Sequence, residues 1–351
     1  MTANPKTILT DRGTIYFIRE RDLISNEVTP YVKIGLTELD RAASERRDDL
    51  KTSNPRELFV HHAVKVPCVT SVETALRYEF LLQNVNLEWH YFGANSPRKL
   101  EEAITLCEEL GERFTGYVNT IDAARDLSQK KSTGVIVDPS EEAAHWWREF
   151  HIHHHVSSIG ERARKTMGAR AKELVAAGES APTGVLVKPK VTSKFDEVGF
   201  KTRYPELHAQ YSIQRLSGKF DVKGKLDMSE LAGVDLVHRT EQALAEYQAA
   251  LVDGGDDGYS SSYRKLLLLR HLTKFSELEK EIAVSHLKVI CGESAGINGI
   301  CSWTRELSKP RLDRSALREL HPAEYEEFNV RTMGSVTTLT AGIGELAGDM
   351  N

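Results

Sequence analysis

The chain has 351 residues, 40% hydrophobic and 28% charged, with a net charge of −5. That composition fits a globular protein of two or three domains and argues against one that coats itself in nucleic acid by charge alone. It contains no long apolar run of membrane-spanning length and no signal-peptide pattern at MTANPKTILTDRG, so no membrane partner is expected.

The elements follow from local composition. Thr14 to Ile18 (TIYFI) is β-branched and aromatic and predicts a strand. Arg19 to Pro30 is polar and predicts a loop or an elongated hairpin turn. Tyr31 to Leu36 predicts a second strand, with Val32, Ile34 and Leu36 on one face and Tyr31, Lys33 and Gly35 on the other. Asp40 to Lys51 predicts a helix, stopped by the TSNP turn before a third strand at Leu58 to Val66. A second helix is expected over Ser71 to Leu82, opened by Thr70 and Glu73 at capping-box spacing. The order β-β-α-β-α predicts a small α+β domain over residues 1–95. From Pro97 the apolar spacing turns helical. The expected divisions are a helical connector at 96–150 and two helical modules at 151–245 and 246–351, with linkers near Gly93 to Pro97, Ser132 to Ser140 and Asp253 to Ser262.

Those two modules rest on an internal repeat. GESAPTGVLV and KFDEVGFKTRYPELHAQY, between Gly178 and Tyr211, reappear as GESAGINGIC and RLDRSALRELHPAEYEEF between Gly292 and Phe328. Asp196, Pro205 and Tyr211 align with Asp313, Pro322 and Phe328, so a duplicated helical module is expected, with the aspartates as helix caps and the prolines at helix starts. Charge is also uneven: from Leu186 to Lys225 there are nine Lys or Arg against four Asp or Glu. A solvated basic face and a polyanion-binding face both account for that excess. Four cysteines (Cys68, Cys107, Cys291, Cys301) lie without a CxxC pair. This argues against structural zinc and a disulfide framework, and predicts a reducing, cytoplasmic-type location.

Two charged residues stand on apolar stripes. Arg46 falls three residues after Ala43 and four before Leu50; Glu73 falls three and seven residues before Leu76 and Phe80. A fold that turns such groups inward must neutralise or use them. The segments around them, taken in order, resemble a known family. GTIYFI (Gly13 to Ile18) is similar to the GIY strand of the GIY-YIG nuclease superfamily, and YVKIG (Tyr31 to Gly35) to its YIG strand, with Lys33 in place of the second tyrosine. ERRDDLKTSNPRELFVHHAV resembles the arginine helix and third strand of a phage-associated branch, and SVETALRYEF with EWHYF its glutamate helix and closing element.

The resemblance implies an antiparallel three-stranded sheet flanked by helices, and a bacterial or phage-encoded DNA endonuclease dependent on Mg²⁺ or Mn²⁺. Tyr16 would act as general base, its pKa lowered by Lys33, Arg46 and a bound metal. Arg46 would hold the scissile phosphate, Glu73 would bind the divalent cation, and His61 or His62 would support proton transfer. Each role has a plainer competitor: Glu73 as the capping-box partner of Thr70, Arg46 as a partner of Asp49 or Glu45, Tyr16 as a packing tyrosine. One active site per chain implies a homodimer, or sequential nicks, for double-strand cleavage.

The second half resembles, less closely, the helical accessory region of YqaJ-type viral recombinases. That implies DNA contact through Lys194, Lys201, Arg203, Arg311, Arg314 and Arg318. The alternative is a catalytically inactive module that recognises DNA structure or a protein partner on a nuclease-like fold. A third reading comes from HIHHH (His151, His153, His154, His155), where the i,i+4 pair His151 and His155 could hold a transition metal. Its competitor is a structural helix face.

Overall fold

The computed structural model describes residues 11–38, 41–51, 56–80, 83–86, 88–93, 97–181, 185–252 and 256–339. It begins with a fully antiparallel sheet. Strand β1 (Gly13–Arg21) lies between β2 (Val28–Glu38) and β3 (Glu57–Val66). The sheet has five strands rather than the expected three, because β5 (Trp89–Tyr91) pairs along the outer edge of β2 and β4 (Asn84–Asn86) pairs with β5. The aromatic EWHYF segment thereby satisfies backbone groups that a three-stranded sheet would leave open on β2. The expected long loop after β1 is shorter. Asp22 Oδ1 accepts from the backbone N–H groups of Ile24 and Ser25 at 2.9 Å, and Asn26 takes φ 61°, closing a tight turn.

Strand alternation sends two sets of side chains to two faces. Ile15, Phe17, Val32 and Ile34 pack against helices α2 (Val69–Glu79) and α3 (Pro97–Ser128) through Val72, Leu76, Ala103, Cys107 and Phe114. Burial of each large apolar side chain contributes about 2 kcal/mol. On the other face Tyr16, Ile18 and Leu58 meet Ala43 and Leu50 of α1 (Ala43–Lys51). The start of α2 departs from expectation. Its N-cap is Cys68 in the left-handed region with no side-chain cap, and Thr70 lies inside the helix, donating to Asp11. The Thr70–Glu73 capping box is therefore absent, and Glu73 faces inward one turn into the helix.

Beyond a short strand β6 (Ile136–Val137), two 36-residue helices, α4 (Glu141–Ala176) and α9 (Asp256–Cys291), form an antiparallel pair, each about 54 Å long. Ile159, Ala163 and Met167 meet Leu266 and Leu269 along one stretch, with Tyr247 of α8 (Asp235–Val252) alongside. Near the middle, a Cβ at Gly160 would lie 2.3 Å from Thr273 Oγ1, so only glycine permits the observed approach. At the far end Ala143 meets Leu287, Cys291 and Trp303.

A third unit joins two similar helix pairs. Strand β7 (Val185–Phe195) leads into α5 (Glu197–Arg203), α6 (Pro205–Gln210) and β8 (Ser212–Ile213). Short strands β9 (Leu216–Ser217) and β10 (Asp221–Val222), then α7 (Met228–Ala232), lead on to α8. After α9 come β11 (Gly296–Ile297), β12 (Cys301–Ser302) and β13 (Glu306–Leu307). Strand β14 (Arg311–Leu312) then leads into α10 (Arg314–Leu320), α11 (Pro322–Glu327) and β15 (Asn329–Leu339). The two helix pairs interlock reciprocally. Asp196 N donates to Phe328 O and Asp313 N to Tyr211 O, both at 2.8 Å, while β7 pairs with β15 and β14 with β8. As expected, Asp196 and Asp313 cap their helices, and Pro205 and Pro322 stand in the first turn of theirs.

Several expected boundaries fall inside continuous structure. Helix α3, expected in a separate connector, shares the hydrophobic core of the sheet. The divisions at 150/151 and 245/246 lie within α4 and α8. The Gly/Ser-rich segment expected as a linker at 253–262 is helical from Asp256 onward.

Candidate functional site

Charged groups from five elements lie within electrostatic reach of one another around Tyr16 and Lys33. Tyr16 comes from β1, Lys33 from β2, Arg46 from α1, Glu73 from α2, and Glu88 from the turn before β5. Tyr16 pairs in register with Gly35, and its ring lies across that glycine. Lys33 pairs with Trp89 and sets its ammonium 5.9 Å from the indole ring. Lys33 Nζ also meets Glu88 Oε2 at 2.5 Å. A lysine in mid-strand, only 8% exposed, needs such a counter-ion.

Arg46 donates a hydrogen bond to the Tyr16 hydroxyl and also lies 3.6 Å from Asp49. The expected pairing with Asp49 and the expected proximity to Tyr16 thus coexist. Glu73 is 9% exposed and, among the described residues, its carboxylate makes no hydrogen bond or ion pair. Burial raises its pKa, Arg77 and Lys33 pull it down, and Glu88 pushes it up.

Tyr16 does not have the lowered pKa expected from its sequence neighbours. Burial raises it foremost; the Arg46 hydrogen bond opposes that, and the negative fields of Glu88 and Glu73 add to it. Two carboxylates contribute to the potential at the phenol that sequence reasoning had assigned to cations. Glu88 was missed altogether. The signal for it was indirect: a strand lysine on the buried face calls for an acid, and Glu88 immediately precedes the aromatic strand that packs beside it.

The histidines of β3 stay outside this cluster. The register of β3 on β1 slips between Phe17↔His62 and Ile18↔Val60, leaving His61 in the bulge, exposed and in the field of Arg19. His62 points to the opposite face, its ring 6.3 Å from Phe17 and its Nε2 3.5 Å from Glu108.

The donor set can be judged against a divalent cation. Among the described residues no three His, Cys, Asp or Glu side chains form a metal-holding group. A single buried, unpartnered carboxylate fits Mg²⁺ or Mn²⁺, which are commonly held by one or two carboxylates, several waters and substrate phosphates. It does not fit a closed zinc cage.

The HIHHH cluster disperses along α4. His151 reaches Lys223 O at 3.3 Å, His153 the Ser276 hydroxyl at 3.3 Å and His155 Glu241 at 3.2 Å, while His154 stacks on Phe150. Each imidazole serves a different neighbour, which is the structural role.

The basic residues expected at a DNA surface cluster in the third unit. Lys194, Lys201, Arg203, Arg311, Arg314 and Arg318 are all exposed. Arg314 is partly committed, donating to Glu197 at 2.8 Å and lying 5.5 Å over the Phe195 ring. Among the described residues no helix is long and apolar enough to cross a membrane. No family model, curated protein or solved structure matches the chain.

Proposed function

We propose that the chain is a metal-dependent endonuclease hydrolysing DNA phosphodiester bonds, with the helical region binding and positioning the duplex. The observation that carries this reading is that Tyr16 lies within electrostatic reach of both Arg46 and Glu73, and Glu73 within reach of Lys33. Four separate sequence segments supply them, and the same four positions carry the resemblance to the GIY-YIG superfamily. The loss of the Thr70 capping box adds support, because it removes the plain structural role of Glu73.

In this reading Arg46 binds a non-bridging oxygen of the scissile phosphate and offsets the charge that grows there. Lys33, held by Glu88, fixes the electrostatic floor of the site. Tyr16 orients or deprotonates the attacking water, its hydroxyl aligned by the Arg46 hydrogen bond. A divalent cation at Glu73 would supply positive charge that polarises the phosphate and counters the carboxylate fields. The reciprocal hydrogen bonds of Asp196 and Asp313 support reading the third unit as a duplicated module. Cleavage of supercoiled plasmid with Mg²⁺, compared among wild type, Tyr16→Phe and Glu73→Gln, tests the reading.

One observation favours the alternative of an inactive DNA-structure or protein-binding module: Tyr16 is only 1% exposed, and a general base must reach water. Folded protein that binds DNA and cuts none of the plasmid, linear or branched substrates would decide for that alternative.

A further inference from the structure

The ribbon of β7 and β15 has a feature that fold stability does not require. Its strands pair over eleven positions, from Val185↔Leu339 to Phe195↔Asn329. Val185 and Val187 anchor one end in the core of the long helices, and Phe195 anchors the other among Phe200, Leu312 and Leu317. Between the anchors, residues from Lys188 to Lys194 are exposed. A two-stranded ribbon without cover on its faces is marginal by itself, so a connecting strap would gain from being short.

Chemistry divides its two faces. Residues opposite each other in an antiparallel pair share a face. Lys188, Lys190, Thr192 and Lys194 therefore stand on one face with Val336, Gly334, Thr332 and Val330. Thr192 and Thr332 bind each other through their hydroxyls at 2.7 Å, keeping the middle of that face flat. The three lysines make no ion pair among the described residues. Neither strand contains an acidic residue, whereas Arg215 and Arg314 elsewhere in the third unit are paired with acids, and Arg331, which pairs with Ser193 and so stands on the ribbon's other face, is paired with Glu326.

We propose that this ribbon is a grip for duplex DNA, with Lys188, Lys190 and Lys194 on the phosphate backbone. The strand face repeats about every 6.8 Å, a spacing that lets Lys188, Lys190 and Lys194 meet separate phosphates of a backbone carrying one charge per nucleotide. A two-stranded ribbon also has the width that a major groove admits. Uncompensated lysines on a flat face, with no acid to repel phosphate, match a linear polyanion in charge and shape. The grip shares with the nuclease reading only the identity of the polyanion; it needs no turnover and lies outside the Tyr16 cluster.

Fluorescence anisotropy with a labelled duplex of about 30 base pairs, in EDTA and across roughly 50–200 mM salt, tests it. Replacing the three lysines by alanine is expected to weaken binding more than about tenfold and to lower the salt slope by about 2.7, near 0.9 per contact. Replacing them by arginine keeps the charge and is expected to keep affinity within about threefold. A control of equal charge change, Lys130→Ala with Lys165→Ala and Lys172→Ala, is expected to leave the slope unchanged. Three results overturn the proposal: no duplex binding by the wild type, equal slopes for ribbon and control variants, or an arginine variant as weak as the alanine one. Ribbon-dependent binding to vesicles containing phosphatidylserine, with duplex binding independent of the ribbon, also overturns it. Ribbon-dependent duplex binding in a protein that cuts no DNA would sink the nuclease reading alone. Cutting with ribbon-independent binding would sink this proposal alone.

Discussion

The hydroxyl of Tyr16 sits over Gly35 so closely that a Cβ at position 35 would lie 2.4 Å from its oxygen. No rotamer adjustment of the alanine methyl could relieve that contact, so the phenol itself would have to move. Gly35→Ala is therefore expected to destabilise the fold by about 1–3 kcal/mol, read in a urea melt. It should also remove most cleavage activity, because Tyr16 would lose its alignment with Arg46. Wild-type cleavage by Gly35→Ala would show that the position of Tyr16 does not matter.

The Lys33–Glu88 pair is partly shielded, with side-chain exposures of 10% and 34%. Its strength must be discounted on the Glu88 side for solvent. A double-mutant cycle of Lys33→Met and Glu88→Gln is expected to give a coupling of about 1–2 kcal/mol. Glu88→Gln alone should cost more stability than the double variant, since it leaves a buried ammonium without its acid. A coupling near zero would remove Glu88 from the site.

Arg305 offers a separate test in the helical region. Its guanidinium is buried, lies 3.7 Å from the Trp303 ring, and donates to Gly292 O at 2.8 Å and Ser294 O at 3.3 Å. These contacts tie the chain after β12 to the end of α9. Lysine has neither the planar face nor the fork of donors. Arg305→Lys should therefore lower stability by about 2–4 kcal/mol in denaturant melts. A loss under about 0.5 kcal/mol would mean that the stack and its hydrogen bonds add little.

Stability should also fall in mild acid. Burial pushes the imidazoles of His90 and His153 down to about 4. A folded-state pKa below the unfolded value near 6.5 means that the unfolded chain binds protons first as pH falls. Both contributions are then complete above about pH 6.5 and are lost as pH drops from about 6.5 towards 4. Each group can contribute on the order of 3 kcal/mol across that window. Replacing His153 by Gln should flatten the pH dependence of the melting temperature between pH 4 and 6.5; an unchanged slope would exclude His153 as a source.

What the sequence revealed follows how local each signal is. The first three strands and both early helices were legible because β-branched runs and apolar spacing are properties of short segments. The fourth and fifth strands were not. Each is three residues long, too short for a periodic pattern, and β5 forms only because Lys33 and Tyr31 offer a strand edge to Trp89 and Tyr91. Of the two charged stripe positions, Glu73 is buried and Arg46 is partly exposed, and each acts electrostatically on Tyr16. Glu88 and the direction of the Tyr16 shift were not legible, since both depend on burial set by distant elements. The helix through Asp256 to Ser262 overrode turn-forming composition, another effect of tertiary packing on weak local preference.

The most direct test of the central claim is nicking of supercoiled plasmid by wild type, Tyr16→Phe and Glu73→Gln, with Mg²⁺ and with EDTA. The account predicts Mg²⁺-dependent nicking that falls by at least about a hundredfold in either variant while both remain folded. Nicking that survives both substitutions, or that persists undiminished in EDTA, would contradict it.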